Sequence, residues 1–324
     1  MVSKLQYKSA EHSFKQALAL RNLSWFLSQA DLIKAESLGS HTHIISDEIG
    51  LDSASYSDQL SDRLEQSPSH FLGSYVEQLW RHYIETSSRY QLLAHNLQIH
   101  GDGKTLGEFD FIVCDNITGK IIHQEIAAKF YLGLPAPDHK SCLWFGPNNI
   151  DRLDLKAAHL KNKQLRLSDL EHAKAELERR HITKVTTQCI LRGRLFLPWN
   201  QQLRKQCQDL DKLTQHSQKD VWMTLSELRD YAATKPENAQ FWLLEKQQWL
   251  SLMTRKGSSL RYDEILAKLE QVVGNERRGV MLKTQRKLGT GLLNDETALF
   301  IVPDDWQKYR YDSLTIPSEK PLHP

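Results

Sequence analysis

The sequence predicts an α/β fold, a mixed sheet flanked by helices, and three observations lead there. Three strand-like runs, 91–99, 108–114 and 121–132, follow one another with only short turns between them. A helix-spaced stretch precedes the trio and another follows it, before a fourth run rich in β-branched residues at 185–197. Hydrophobic content of 40% and charged content of 25% are ordinary for a globular chain and exclude wholesale disorder. At 324 residues the chain can bury one large core or two smaller ones.

Residues 9–36 have helical spacing, with Phe14, Leu18, Leu20, Leu23, Phe26 and Leu27 forming a broad apolar face. Residues 37–70, rich in Ser, Asp and Gly, form a long excursion with a short helix near 56–64. A helix over 72–85 carries Leu72, Val76, Leu79 and Tyr83 at four- and three-residue steps. After the first strand, Gly101-Asp102-Gly103-Lys104 is a turn, and Asp115 to Lys120 a hairpin loop. Leu134-Pro135-Ala136-Pro137 breaks regular structure, and residues 151–180 read as helix in two pieces divided near Ser168-Asp169. The remainder holds tryptophan-bearing helices around Trp222, Trp242 and Trp249, with strands at 280–283 and 297–302. The expected division is an N-terminal helical region with its long loop (1–70), an α/β core (71–198) and a mainly helical C-terminal accessory region (199–324).

No apolar run approaches the roughly 20 residues needed to cross a bilayer, so no membrane partner is expected. The first eight residues lack a hydrophobic signal core. Cys114, Cys142, Cys189 and Cys207 lie far apart with no Cys-x-x-Cys pair, which points to a cytoplasmic protein with reduced thiols rather than structural zinc. His41 and His43 form a His-x-His pair without a third ligand and read as surface residues. The net charge of +2 is unevenly spread. Residues 30–70 carry a local net of −6, whereas 151–206 hold thirteen Lys or Arg against six Asp or Glu. A basic segment of that kind suits a polyanionic partner or a solvated helix face.

Side chains alternate across a strand. On the second strand Glu108, Asp110, Ile112 and Cys114 point one way, and Phe109, Phe111 and Val113 the other. On the third, His123, Glu125, Ala127, Lys129 and Tyr131 share a face. Both strands thus place ionisable groups near mid-strand, where packing alone calls for Val or Leu. Burying a lone charge is costly, so such groups are paired, bound to metal, or open to a cleft. Two acids and a lysine on neighbouring strands can hold a divalent metal beside a phosphate and activate a water.

Gly107-Glu108-Phe109-Asp110-Phe111, Glu125 to Lys129 and Lys129-Phe130-Tyr131-Leu132 resemble the motifs of the PD-(D/E)xK, restriction-endonuclease-like, nuclease superfamily. More narrowly, the chain resembles an uncharacterised bacterial domain-of-unknown-function family placed in that superfamily, over most of its length. The resemblance implies an αβββαβ core across 71–198. It implies a Mg²⁺- or Mn²⁺-dependent nuclease acting on DNA, in repair or defence. It puts the metal-binding aspartate at Asp110, the acid and lysine of the third strand at Glu125 and Lys129, and an assisting glutamate at Glu77. Lys156 and Gln164 are candidates for the polar residue on the following helix, and Lys156, Lys163, Gln164, Arg192 and Arg194 for contacts to the nucleic-acid backbone.

One position departs from the pattern. The second acid belongs two residues before the lysine, about 7 Å away, and Ala127 stands there; Glu125 lies about 13 Å from Lys129 along an extended strand. A bulge could bring Glu125 closer, or Glu108 and Glu77 could supply the missing carboxylates. Failing both, the chain would bind nucleic acid without cutting it, or serve as a scaffold that keeps only the fold.

Overall fold

The structure is a computed structural model and describes residues 4–40, 54–66, 69, 71–137, 141–147, 151–207, 220–233, 240–284 and 298–308. His41 and His43 lie outside these residues. An α/β architecture is observed, with a mixed nine-stranded sheet between layers of helices. Two N-terminal helices, α1 (Lys4–Ser28) and α2 (Ala35–Leu38), are followed by α3 (Ala54–Gln66) and α4 (Leu72–Thr86). Strands β1 (Tyr90–Gly101), β2 (Lys104–Asp115) and β3 (Ile121–Pro135) form an antiparallel series. A short strand, β4 (Cys142–Phe145), folds back on the end of β3. It has no counterpart in the sequence reading, and Leu134 and Pro135, expected to break regular structure, are instead the end of β3 that pairs with it.

Helix α4 places Tyr75, Val76, Leu79, Trp80, Tyr83 and Ile84 on one buried face, the three- and four-residue spacing that a core-facing helix requires. That face packs on Phe111, Val113, Ile122, Ile126 and Phe130 of β2 and β3, together with Phe26 of α1. The opposite side of the sheet is covered by α5 (Leu153–Asn162), a 3-10 turn (Gln164–Asp169) and α6 (Glu171–Arg179). The expected division near Ser168-Asp169 is found at Leu170, whose extended backbone (φ −72°, ψ 137°) separates the 3-10 turn from α6, and a second, earlier break falls at Lys163 (φ −126°, ψ −67°). The earlier break turns Gln164 back toward the sheet.

Strand β5 (Val185–Pro198) runs parallel to β3 from Ile121↔Val185 to Leu132↔Phe196. At the Lys129↔Gly193 step the backbones meet closely. A Cβ at Gly193 would lie 1.7 Å from the Lys129 carbonyl oxygen, and its φ of +155° also favours glycine.

Beyond α7 (Gln201–Gln206), which Asn200 caps by accepting from the Gln202 and Leu203 N–H groups, the chain returns to the same sheet. Strands β6 (Asp220–Thr224), β7 (Phe241–Leu243), β8 (Val280–Thr284) and β9 (Ala298–Val302) alternate with α8 (Leu225–Ala233) and α9 (Tyr262–Leu269). The strand order is β1-β2-β3-β5-β6-β9-β8-β7. Trp222 and Trp242, expected on helices, sit instead on β6 and β7, and only Trp249 keeps a helical setting, in a 3-10 turn. A bulky aromatic on a sheet face buries as well as one on a helix, so Trp alone does not distinguish the two. Among the described residues no helix is long and apolar enough to cross a membrane.

Candidate functional site

Strand β3 is paired along its whole first twelve residues with β5, but its other edge is divided. There β2 pairs with it only from Ile121 to Gln124, and β4 only from Leu132 to Pro135. Between them the edge from residue 125 to 131 has no strand partner among the described residues, and the acidic pair stands at the start of this opening. The β2–β3 ladder ends at Phe111↔Gln124. One further step would set Asp110 opposite Glu125. Instead the Asp110 carboxylate takes the place of the ladder, Oδ2 accepting the Ile126 backbone N–H at 3.0 Å. It satisfies a buried donor that the parting strand would leave without a partner. Phe109 departs from the expected alternation here. It joins Ile112 and Leu167 in a cluster separate from that of Phe111, with its ring 4.6 Å from the His123 ring.

Glu125 is 2% exposed, and both its oxygens are engaged. Oε1 lies 2.8 Å from His123 Nε2, and Oε2 accepts the Gln164 side-chain N–H. Gln164 is held in turn by Lys156, whose Nζ donates to Gln164 Oε1 at 2.8 Å. The lysine can only donate, so this bond fixes the amide with its NH₂ toward Glu125. A relay of Lys156, Gln164, Glu125 and His123 therefore runs from α5 through the 3-10 turn to β3.

Burial dominates the electrostatics. It pushes the Glu125 carboxyl up to about 8, against the charge of Lys156 and with that of Glu108. Burial and the neighbouring charge of Glu125 push Asp110 up to about 7, again opposed in part by Lys156. Glu77 on α4 is raised by burial, then by the charges of Asp110 and Glu108. Burial lowers His123 to about 4, so its contact with Glu125 is a neutral hydrogen-bonded pair rather than an ion pair at neutral pH. Its Nδ1 atom finds no partner among the described residues. Asp110, Glu125 and Glu77 are thus all raised at one place, and burial together with specific charge neighbours beside a cleft makes such carboxyls candidates for a functional site.

Of these acids Glu108 and Asp110 open onto a cleft of about 650 Å³, whose wall also carries His159, Lys163, Gln164 and Arg166. Leu106 and Leu170 also border it, exposed to 40% and 42%.

Asp110, Glu125, Glu108, Glu77, Lys156, Gln164 and Lys163 are therefore brought to one locality. Three candidates are not. Lys129 turns to Asp151, with Nζ 2.7 Å from Oδ2, because four residues along the strand carry it to the far end of the opening. Arg192 is 2% exposed and donates to the Phe26 and Leu27 carbonyls at the end of α1, with Asp31 3.5 Å away. Arg194 donates to the Trp249 and Leu250 carbonyls and to Asp220. Neither arginine is free to meet a phosphate, because the end of α1 covers Arg192, and Asp220 of β6 with the Trp249 and Leu250 carbonyls engages Arg194. His123 and Asp151 are the residues that sequence reasoning passed over. For His123 the signal was present, a histidine two residues before Glu125 on the same face of an otherwise apolar strand.

Among the described residues no group of three His, Cys, Asp or Glu side chains converges to hold a metal. The donor chemistry nevertheless fits a hard cation. Mg²⁺ is commonly held by one or two carboxylates, with substrate phosphate and water completing the shell. Two adjacent buried carboxyls whose proton affinity is raised by burial and mutual repulsion are the kind of pair such an ion would relieve.

Fold and site together define an α/β protein with a buried carboxyl pair at a break in its sheet. The chain belongs to the family described as a domain of unknown function (DUF1853), which matches residues 21–302. That span takes in every strand of the sheet and ends at the last residue of β9. No curated protein and no solved structure matches the chain.

Proposed function

We propose that the protein is a metal-dependent phosphodiester hydrolase of the PD-(D/E)xK type, acting on nucleic acid and on DNA in particular. The observation that carries this reading is the Asp110–Glu125 carboxyl pair at the opening in β3, with Lys156 linked to it through Gln164. Asp110 and Glu125 would hold Mg²⁺ or Mn²⁺, with Glu108 and Glu77 at the margin. Such an ion polarises a phosphate and lowers the pKa of a bound water.

The remaining roles belong to the chain's own groups. Lys156 supplies the positive charge that the motif assigns to the lysine of the third strand, since Lys129 turns away to Asp151. Its charge favours the ionised form of both carboxyls, and its hydrogen bond orients the Gln164 amide. Neutral His123 exchanges a hydrogen bond with Glu125 Oε1 and can keep a proton there until a cation displaces it. Lys163 and Arg166 on the cleft wall attract the phosphate backbone, the main source of sequence-independent affinity.

A second reading, a nucleic-acid-binding protein with a degenerate site, is favoured by the engagement of both Glu125 oxygens by protein groups. The deciding experiment incubates wild type, Asp110→Ala, Lys156→Ala and Lys129→Ala with mixed nucleic acids in Mg²⁺ or Mn²⁺. The hydrolase reading expects cleavage by wild type, its loss in Asp110→Ala and Lys156→Ala, and its survival in Lys129→Ala. Binding without cleavage under every condition, with no calorimetric metal binding, would leave the second reading standing.

A further inference from the structure

Access to the site restricts the substrate. Glu125 is 2% exposed, so a phosphodiester must descend into the cleft to approach the carboxyl pair. The cleft holds about 650 Å³, the size of pockets that enclose one small-molecule ligand. A base-paired duplex, with both strands stacked and its phosphates on the outside, does not fit into such a space. A single strand, with one nucleotide turned inward, does.

The lips of the cleft favour the same substrate. Five large apolar side chains of the described residues stand out as exposed, and two of them, Leu106 on β2 and Leu170 between the 3-10 turn and α6, border this opening. Solvent-facing leucines contribute nothing to binding phosphates. They offer apolar surface to the faces of unstacked bases, which a paired duplex keeps inside its stack. Their placement is built in. Gly107, the residue after Leu106, lets β2 lie close against the 3-10 turn, for a Cβ there would come within 2.8 Å of Leu167 Cδ1 and push that side chain aside. Between the two leucines the wall carries His159, Lys163 and Arg166. Cations for a backbone beside a wall that bases can contact parallel the single-strand grooves in which rings take the bases, a place open here to the His159 imidazole. Arg166 also pairs with Asp169 at 3.2 Å, but both side chains are more than 60% exposed, and such a pair yields readily to a phosphate.

We infer that the substrate is a single nucleic-acid strand, free or frayed from a duplex end, admitted between Leu106 and Leu170. The inference rests on the hydrolase reading only for the fate of the strand, not for its recognition. The test measures binding of labelled oligonucleotides of one sequence to the full chain by fluorescence anisotropy, with Ca²⁺ in place of Mg²⁺. The probes are single-stranded DNA, single-stranded RNA, blunt duplex DNA and a duplex with an unpaired tail, and cleavage of the same set is followed in Mg²⁺.

Single strands and the tailed duplex should bind about tenfold or more tightly than the blunt duplex, the scale of one lost base contact. Leu106→Ser with Leu170→Ser should erase that preference with the far-ultraviolet circular dichroism unchanged, since both side chains are exposed. The DNA and RNA arms report which sugar is accepted. Equal binding of blunt duplex and single strand, a preference untouched by the double variant, or no binding of any probe would overturn the inference. Cleavage of blunt duplex as fast as single strand would also overturn it, yet leave the hydrolase reading intact. A single-strand preference without cleavage of any probe would do the reverse.

Discussion

Two groups of buried charge stand on neighbouring strands, and they are resolved in opposite ways. On β5, Arg194 meets two backbone carbonyls and the Asp220 carboxylate, while Asp220 Oδ1 accepts the Ala298 N–H at 2.9 Å. Charge is matched by opposite charge and the hydrogen bonds are filled, and the result ties β5 to β6 and to the C-terminal segment. On β2 and β3, Asp110 faces Glu125, so like is set beside like. One lysine offsets them from a distance, through Gln164. A buried pair of opposite sign offsets its own desolvation and is costly to break, whereas buried groups of like sign repel and raise each other's proton affinity. The arginine strand is built for structure. The carboxyl strands keep an arrangement that packing alone would have replaced with Val or Leu.

The largest expected effect lies on the matched side. Arg194→Ala leaves Asp220 buried without its cation and should lower unfolding free energy by about 3–5 kcal/mol in urea denaturation. A loss under about 1 kcal/mol would mean that the arginine does not anchor the sheet.

The unmatched side should respond with the opposite sign. Glu125 has its folded-state pKa raised from 4.5 to about 8 by burial, so the folded chain holds this proton more tightly than the unfolded one. The stability it contributes is fully present below about pH 4.5 and is lost as pH rises through 8. Glu125→Gln removes that loss and should be more stable than wild type at pH 9, on the order of 3 kcal/mol, with little difference at pH 4. Paired urea melts at the two pH values decide it, and a less stable variant at pH 9 would place Glu125 among the structural charges.

Lys156→Ala comes next. If Lys156 supplies the motif's cation, cleavage should fall by about a hundredfold or more, the scale for losing one preorganised electrostatic contact, and the apparent pKa of the carboxyl pair should rise. Lys129→Ala is the smallest change. Its ion pair with Asp151 is about one-third exposed on each side and should be worth no more than about 1 kcal/mol, with cleavage retained. Loss of cleavage in Lys129→Ala but not in Lys156→Ala would restore the lysine to the place that the linear motif gives it.

Much of the site was legible because strand alternation is a local rule. The sharing of one face by His123, Glu125, Ala127 and Lys129 follows from the period of two, and so does the placing of Asp110 among ionisable neighbours. What could not be read was the extent of pairing. Nothing in residues 121–135 announces that β2 leaves after Gln124 and β4 arrives only at Leu132. That division arises from distant chain segments competing for one strand edge. Lys156 was legible as a basic helix residue, but its tie to Glu125 depends on a helix break at Lys163 and a glutamine that turns back from it. Arg192 and Arg194 were misplaced for a related reason. Their surroundings come from segments far away in the chain, the end of α1 for Arg192 and Asp220 of β6 for Arg194.

By itself the amino-acid sequence determined the α/β class, the order of the main helices and strands through residue 198 except β4, and the concentration of acidic groups on β2 and β3. These follow from hydrophobic periodicity and backbone preference, which act between near neighbours in the chain. Only the tertiary structure decided which cation serves the acids, which arginines are structural, and that the sheet opens at Glu125. Those outcomes depend on burial and on the distance between groups far apart in sequence, since the strength of a charge interaction is set by its surroundings and its separation in space.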